Sequence, residues 1–108
     1  MTDPILGEFE QLVLLALARQ GTEGYGVSIC DDIVSRTGRD VSLGAVYKTL
    51  ERLEDKGLVV SRVGEPTAAR GGRRRKHFRL LAVGQRALKQ SLAAIRSMTS
   101  GLETDLGL

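Results

Sequence analysis

Residues 42–57 read Ser-Leu-Gly-Ala-Val-Tyr-Lys-Thr-Leu-Glu-Arg-Leu-Glu-Asp-Lys-Gly, and this stretch decides the fold. Ser42 is a strong helix N-cap, Val46, Leu50 and Leu53 recur at helical spacing, and Gly57 closes the segment, so a helix is predicted over 42–56. At 100° per residue, the face opposite those apolar residues carries Gly44, Ala45, Lys48, Glu51, Arg52 and Asp55. Its first half is small and basic. The C-terminal half of the helix, with Glu51, Glu54 and Asp55, is acidic. A helix docked N-terminus first into the major groove of duplex DNA needs that division.

The sequence on either side supports the same architecture. Asp3-Pro4 reads as a helix start, and Leu6, Phe9, Val13 and Leu17 form an apolar face widened by Leu12 and Ala16. Gly21 and Gly24 end that helix. A second helix is predicted from about Tyr25 to Thr37, with Ile29, Cys30, Ile33 and Val34 inward and Gly38 as its stop. After Gly57, the run Leu58–Val63 is β-rich and His77-Phe78-Arg79-Leu80 alternates like a second strand. Gly64-Glu65-Pro66 through Gly71-Gly72 form the turn between them. From about Ala82 the pattern is helical again, with Leu88, Leu92, Ile95 and Leu102 close to a heptad seam. The predicted fold is mainly α with a small β-hairpin: a winged helix-turn-helix over 1–80 and a C-terminal dimerisation helix over 81–108.

Charge is unevenly placed. The 108-residue chain carries a net +3, yet residues 58–80 hold seven Lys or Arg against Glu65 alone, a local +6, leaving −3 for the remainder. A basic segment on a near-neutral body points to a polyanionic partner. Arg73, Arg74, Arg75, Lys76 and His77 are placed at the wing, against a phosphate backbone or in a minor groove. On the third helix, Ala45 suits a thymine methyl, Lys48 a phosphate or a guanine, and the Tyr47 hydroxyl a phosphate. The bland readings stand beside these: Tyr47 covering the core edge, Arg52 pairing with Glu51 or Asp55, Cys30 simply packed in the core. The Leu88–Leu102 stripe reads either as core or as a dimer seam, and the dimer is favoured because little of one domain is left to cover it.

Other classes find little support. There is no nucleophile–base pair, no paired carboxylates on a plausible cleft, no ligand set with metal spacing and no phosphate-cradling loop, so neither an enzyme nor a cofactor is expected. One cysteine allows no intrachain disulfide, no secretory signal is read, and the apolar run Leu12–Ala18 is too short to span a bilayer; a cytoplasmic, membrane-free protein is expected. The alternative function is a winged helix used for protein docking or RNA binding.

The residues also resemble a known family, the PadR-type regulators, over nearly the whole chain. The resemblance rests on Leu6-Gly7 with Glu10 and Val13–Leu17, on Tyr25-Gly26, and on Ser42–Tyr47 with Leu50–Glu54. It continues through Gly57-Leu58 and Gly72–Lys76 with Phe78. It implies a dimeric repressor whose DNA-facing residues are Tyr25, Ser42, Gly44, Ala45, Tyr47, Lys48 and Arg73–Lys76; Thr49, Arg52 and His77 are placed on the same surface. Leu6 and Phe9 are assigned with Leu88, Leu92, Ile95 and Leu102 to the homodimer interface. This chain has Lys48 where the family often has Pro, adding a positive charge toward DNA, and Leu81-Ala82 where a Thr-Pro pair often precedes the last helix. It has no Trp, so stacking of a ligand on interface tryptophans is not open to it, although an unknown small apolar effector between subunits is compatible with the sequence.

Overall fold

The computed structural model describes residues 5–64 and 75–108. In chain order the elements are α1 (Glu8–Gln20), β1 (Gly24–Tyr25), α2 (Gly26–Thr37), α3 (Leu43–Asp55), β2 (Val59–Val63), β3 (Lys76–Leu80), α4 (Ala82–Thr99) and α5 (Glu103–Leu106). The three strands form an antiparallel sheet of order β1-β3-β2, whose first strand lies between α1 and α2 in sequence. The third strand was not expected: two residues, Gly24 and Tyr25, pair with Phe78 and His77 and turn the hairpin into a three-stranded sheet.

The core is aliphatic and lies between α1, α2, α3 and the inner face of the sheet. Val13, Leu14 and Leu17 of α1 meet Ile29 and Ile33 of α2, Val46, Leu50 and Leu53 of α3, and Phe78 on the central strand. Truncating such a side chain to alanine costs about 2–5 kcal/mol, so this cluster dominates the stability of the fold. Sheet register fixes which strand residues join it. Gly24, Phe78 and Ser61 share one row, and Tyr25, His77 and Arg62 share the next. Phe78 is buried, so the second row takes the outer face.

Several expectations are corrected. The proposed start at Asp3-Pro4 lies outside the described residues, and α1 begins only at Glu8, after an extended Gly7 whose N–H donates to Glu10 Oε1 at 2.8 Å. Leu6 precedes the helix and is buried in the chain's own core. Val34 is not inward but 40% exposed. Cys30 packs against the core as expected, its thiol donating to the Val41 carbonyl at 3.4 Å, and burial raises its pKa, with the nearby Asp31 charge adding to the shift. The last helix is not continuous to Leu102: Ser100 leaves helical backbone at ψ 126°, and α5 follows as a separate turn. Leu102 therefore does not extend the seam of Leu92 and Ile95.

Two contacts fix how the outer elements sit on the core. The start of α4 is pressed against the chain just before β2. Leu81 N–H donates to the Leu58 carbonyl at 3.0 Å, and a Cβ added at Gly84 would lie 2.2 Å from that same oxygen. At the other end of the helical layer, the buried Glu10 carboxylate accepts from Lys56 Nζ at 2.7 Å and joins α1 to the C-cap of α3. Burial alone would push the Glu10 carboxyl up. The Lys56 hydrogen bond, the Gly7 N–H and the charges of Lys56 and Arg52 outweigh it, and its pKa ends below the ordinary 4.5.

A carboxylate held below its ordinary pKa stabilises the folded state above that value and loses the contribution as pH falls through the lowered one. Glu10→Gln is expected to cost about 2 kcal/mol at neutral pH, less than the about 3–5 kcal/mol of a fully buried broken pair because Lys56 reaches solvent. Denaturant titrations from pH 7 down to about pH 3 should show the wild-type advantage shrinking below the usual carboxylate range; an advantage that stays constant would show that the charge of Glu10 contributes nothing.

Candidate nucleic-acid interface

Helix α3 forms because Ser42, in extended backbone, caps it: its Oγ accepts the Ala45 N–H at 3.1 Å. Val46, Leu50 and Leu53 are fully buried, which turns Gly44, Ala45, Lys48 and Arg52 outward as expected. Nothing lies within 4 Å of a Cβ built on Gly44, so the first turn offers a bare surface. Thr49 is corrected. It sits at the helical spacing of Val46 and Leu53 and is only 4% exposed, so its side chain belongs to the core face. Arg52 is exposed and forms no ion pair with Glu51 or Asp55 among the described residues.

Tyr47 packs at the edge of the core, as one of its two readings has it. Its ring lies on Gly26, the first residue of α2, so closely that a Cβ there would fall 2.3 Å from Cζ and 2.6 Å from the hydroxyl oxygen. The residue nonetheless remains 36% exposed. The missing side chain at Gly26 thus makes room for the Tyr47 ring, and the Tyr-Gly pair at 25–26 carries a packing reason as well as a family one. Tyr25 precedes it in extended backbone, its N–H donating to Ser28 Oγ at 3.2 Å.

The wing divides its basic residues between two faces. On the outer face, the Arg75 guanidinium sits over the Tyr25 ring at 4.5 Å, and His77 meets the same ring edge-on at 5.9 Å. Arg62 is the cross-strand neighbour of His77 in that row. On the inner face, Lys76 Nζ lies 5.6 Å from the Phe78 ring centre and 3.9 Å from Glu54 Oε1. Arg73 and Arg74 lie outside the described residues. Glu54 has a role that its charge alone did not suggest. Its Oε2 accepts both the backbone N–H (3.0 Å) and the hydroxyl (2.6 Å) of Ser61, tying the end of α3 to β2. No local sequence pattern marks a contact made across a turn to the next strand.

The residues assigned to a dimer interface separate into two groups. Leu6 and Leu88 are buried within the single chain and are withdrawn from that surface; Phe9 is half-buried. Leu92, Ile95 and Leu102 are exposed, and so is Met98 at 76%. Beside Leu92 an open groove of about 670 Å³ runs between the end of α1 and α4, lined by Leu17, Ala18, Leu80 and Leu88. Among the described residues, no group of three or more His, Cys, Asp or Glu side chains is placed to hold a metal ion, and no helix is long and apolar enough to cross a membrane.

Solved structures share this architecture. A PadR family transcription regulator from Clostridium difficile R20291 superposes with a TM-score of 0.73 at 22% identity, covering 91% of this chain and 98% of that one. A PadR family regulator from Eggerthella lenta DSM 2243 gives 0.70 at 24% identity, over 92% and 86%. PadR of Bacillus subtilis, solved in complex with operator DNA, gives 0.65 at 22% identity, over 79% of this chain and 48% of that one. No curated protein matches. The model of the transcriptional regulator PadR-like family matches residues 13–90, which include most of α1, all of α2 and α3, the whole sheet and the first half of α4, and on that match the chain belongs to the PadR-like family of transcriptional regulators.

Proposed function

We propose that this chain is a sequence-specific regulator that binds duplex DNA as a homodimer and represses transcription. The observation that carries the reading is the capped, bare first turn of α3, with Gly44, Ala45 and Lys48 outward, presented on the same domain as a basic wing root. Gly44 lets the backbone approach base edges, Ala45 fits a thymine methyl, and Lys48 takes a guanine or a phosphate. The wing supplies sequence-independent attraction to the backbone. The Bacillus subtilis neighbour, solved on operator DNA, supports duplex DNA as the ligand. In this reading residues 1–80 bind DNA. Residues 81–108 pair the subunits through Leu92, Ile95 and Met98, an apolar stripe that a lone chain leaves in water.

The deciding experiment is recovery of genomic fragments by the purified protein at near-physiological salt with competitor DNA, followed by sequencing. Sites sharing a two-fold motif, with half-sites about one helical turn apart, are expected; uniform recovery would remove sequence-specific binding. On the recovered site, Lys48→Ala should cost about 1–3 kcal/mol and relax preference at one base position. Arg73→Ala should instead weaken all sequences alike and reduce the salt slope by about 0.9.

Gly26→Ala tests the support under the interface. The new methyl would displace the Tyr47 ring, so affinity should fall at least tenfold, the equivalent of about 1.4 kcal/mol, while circular dichroism stays helical. Unchanged affinity would show that the Tyr47 ring position is irrelevant to binding.

The pairing of subunits is tested by sedimentation equilibrium. A dimer is expected for the wild type, and Leu92→Asp with Ile95→Asp should yield a folded monomer with weakened binding to a two-fold site. A wild-type monomer at all concentrations would exclude this pairing.

A further inference from the structure

We infer that Tyr25 is a positioning residue: its ring is the platform that holds the Arg75 guanidinium ready for a DNA phosphate, and its hydroxyl is not the contact. The inference rests on the DNA-binding reading above and assigns a division of labour within it.

Five observations converge on the pair. The Arg75 guanidinium carbon stands 4.5 Å from the centre of the Tyr25 ring, the distance of a cation–π contact. The ring itself is fixed from several sides. Tyr25 lies in β1, paired with His77 of the central strand, and its N–H is held by Ser28. The His77 ring abuts its edge at 5.9 Å and 65°. The backbone of Arg75 is fixed too, because its carbonyl accepts the Gly64 N–H at 2.7 Å, one step beyond the β2–β3 ladder.

The chemistry explains what the stack achieves. An arginine on a wing root has many rotamers, and most of them miss a given phosphate. A guanidinium that meets an aromatic face with its flat side keeps its N–H donors in the plane, free for a bidentate phosphate oxygen pair. The loss of rotamer freedom is then taken in the free protein rather than on binding. Arg75 also forms no ion pair among the described residues that a phosphate would have to displace. Lys76, the next residue, points to the other face toward Glu54 and cannot substitute for it. The tyrosine hydroxyl, at the rim of the ring, is not required by any of these contacts.

The test has two readouts. In the free protein, NMR of the Arg75 side chain should show a ring-current upfield shift that persists in Tyr25→Phe and disappears in Tyr25→Leu. Binding is then read by fluorescence anisotropy with a labelled mixed-sequence DNA duplex at low salt, since a phosphate contact needs no operator. Arg75→Ala should weaken binding and lower the salt slope by about 0.9. Tyr25→Phe should bind like wild type. Tyr25→Leu should weaken binding about two- to fivefold, and adding it to Arg75→Ala should cause no further loss. The inference is overturned if Tyr25→Phe loses as much as Tyr25→Leu, if the Tyr25→Leu loss persists without Arg75, or if Arg75→Ala binds normally. Failure of the wild type to bind any duplex would overturn the DNA reading itself, and the NMR shift would still report whether the stack exists. If Tyr25→Leu does not fold, Tyr25→Phe and Arg75→Ala decide the question.

Discussion

A thirteen-residue helix is marginal in water on its own, and α3 is such a helix. Its persistence depends on burying one side completely while the other side stays bare, and the rest of the domain meets that demand. Helices α1 and α2, with Phe78 in the same core, supply the apolar surface for Val46, Leu50 and Leu53. Ser42 holds the first turn. Glu10 grips Lys56 at the far end, and Glu54 reaches forward to Ser61 so that the wing starts from a fixed point. Every tie is made on the inner face or at the ends, so none competes with a ligand for the outer one.

Much of this arrangement was legible because α3 obeys local rules. A serine cap, apolar residues at helical spacing and a closing glycine agree with one another, and the two long strands alternate as strands should. Thr49 was legible too, since it continues the spacing of Val46, Leu50 and Leu53; its hydroxyl made it look like a surface residue when its place on the helix made it core. The pair Gly24-Tyr25 was not legible. Two residues carry no alternation, and they become a strand only because the fold brings them to the free edge of β3. The division of Arg75 from Lys76 follows from a strand's alternation, but which face each would take depended on Phe78 being the residue that enters the core.

The C-terminal segment shows the limit of periodicity. Leu88, Leu92, Ile95 and Leu102 keep a heptad-like count, yet the helix stops at Thr99 and Leu88 turns inward onto the core. Spacing alone does not tell a residue that completes its own core from one that leaves a surface uncovered. That distinction needs the position of α1, which is set by contacts far away in sequence.

The crossing at Gly84 has a consequence for how such chains can be recombined. The Leu58 oxygen occupies the volume that any side chain at 84 would need, and Leu58 itself stands between the end of α3 and the start of β2. The first turn of α4 therefore belongs, as a fitted part, to the head of the molecule rather than to its tail. A chimera that exchanged C-terminal helices between relatives at the visible boundary after β3 would cut through that fit. A junction beyond position 88, where the helix leaves the core, would carry the fitted turn along and exchange only the exposed stem.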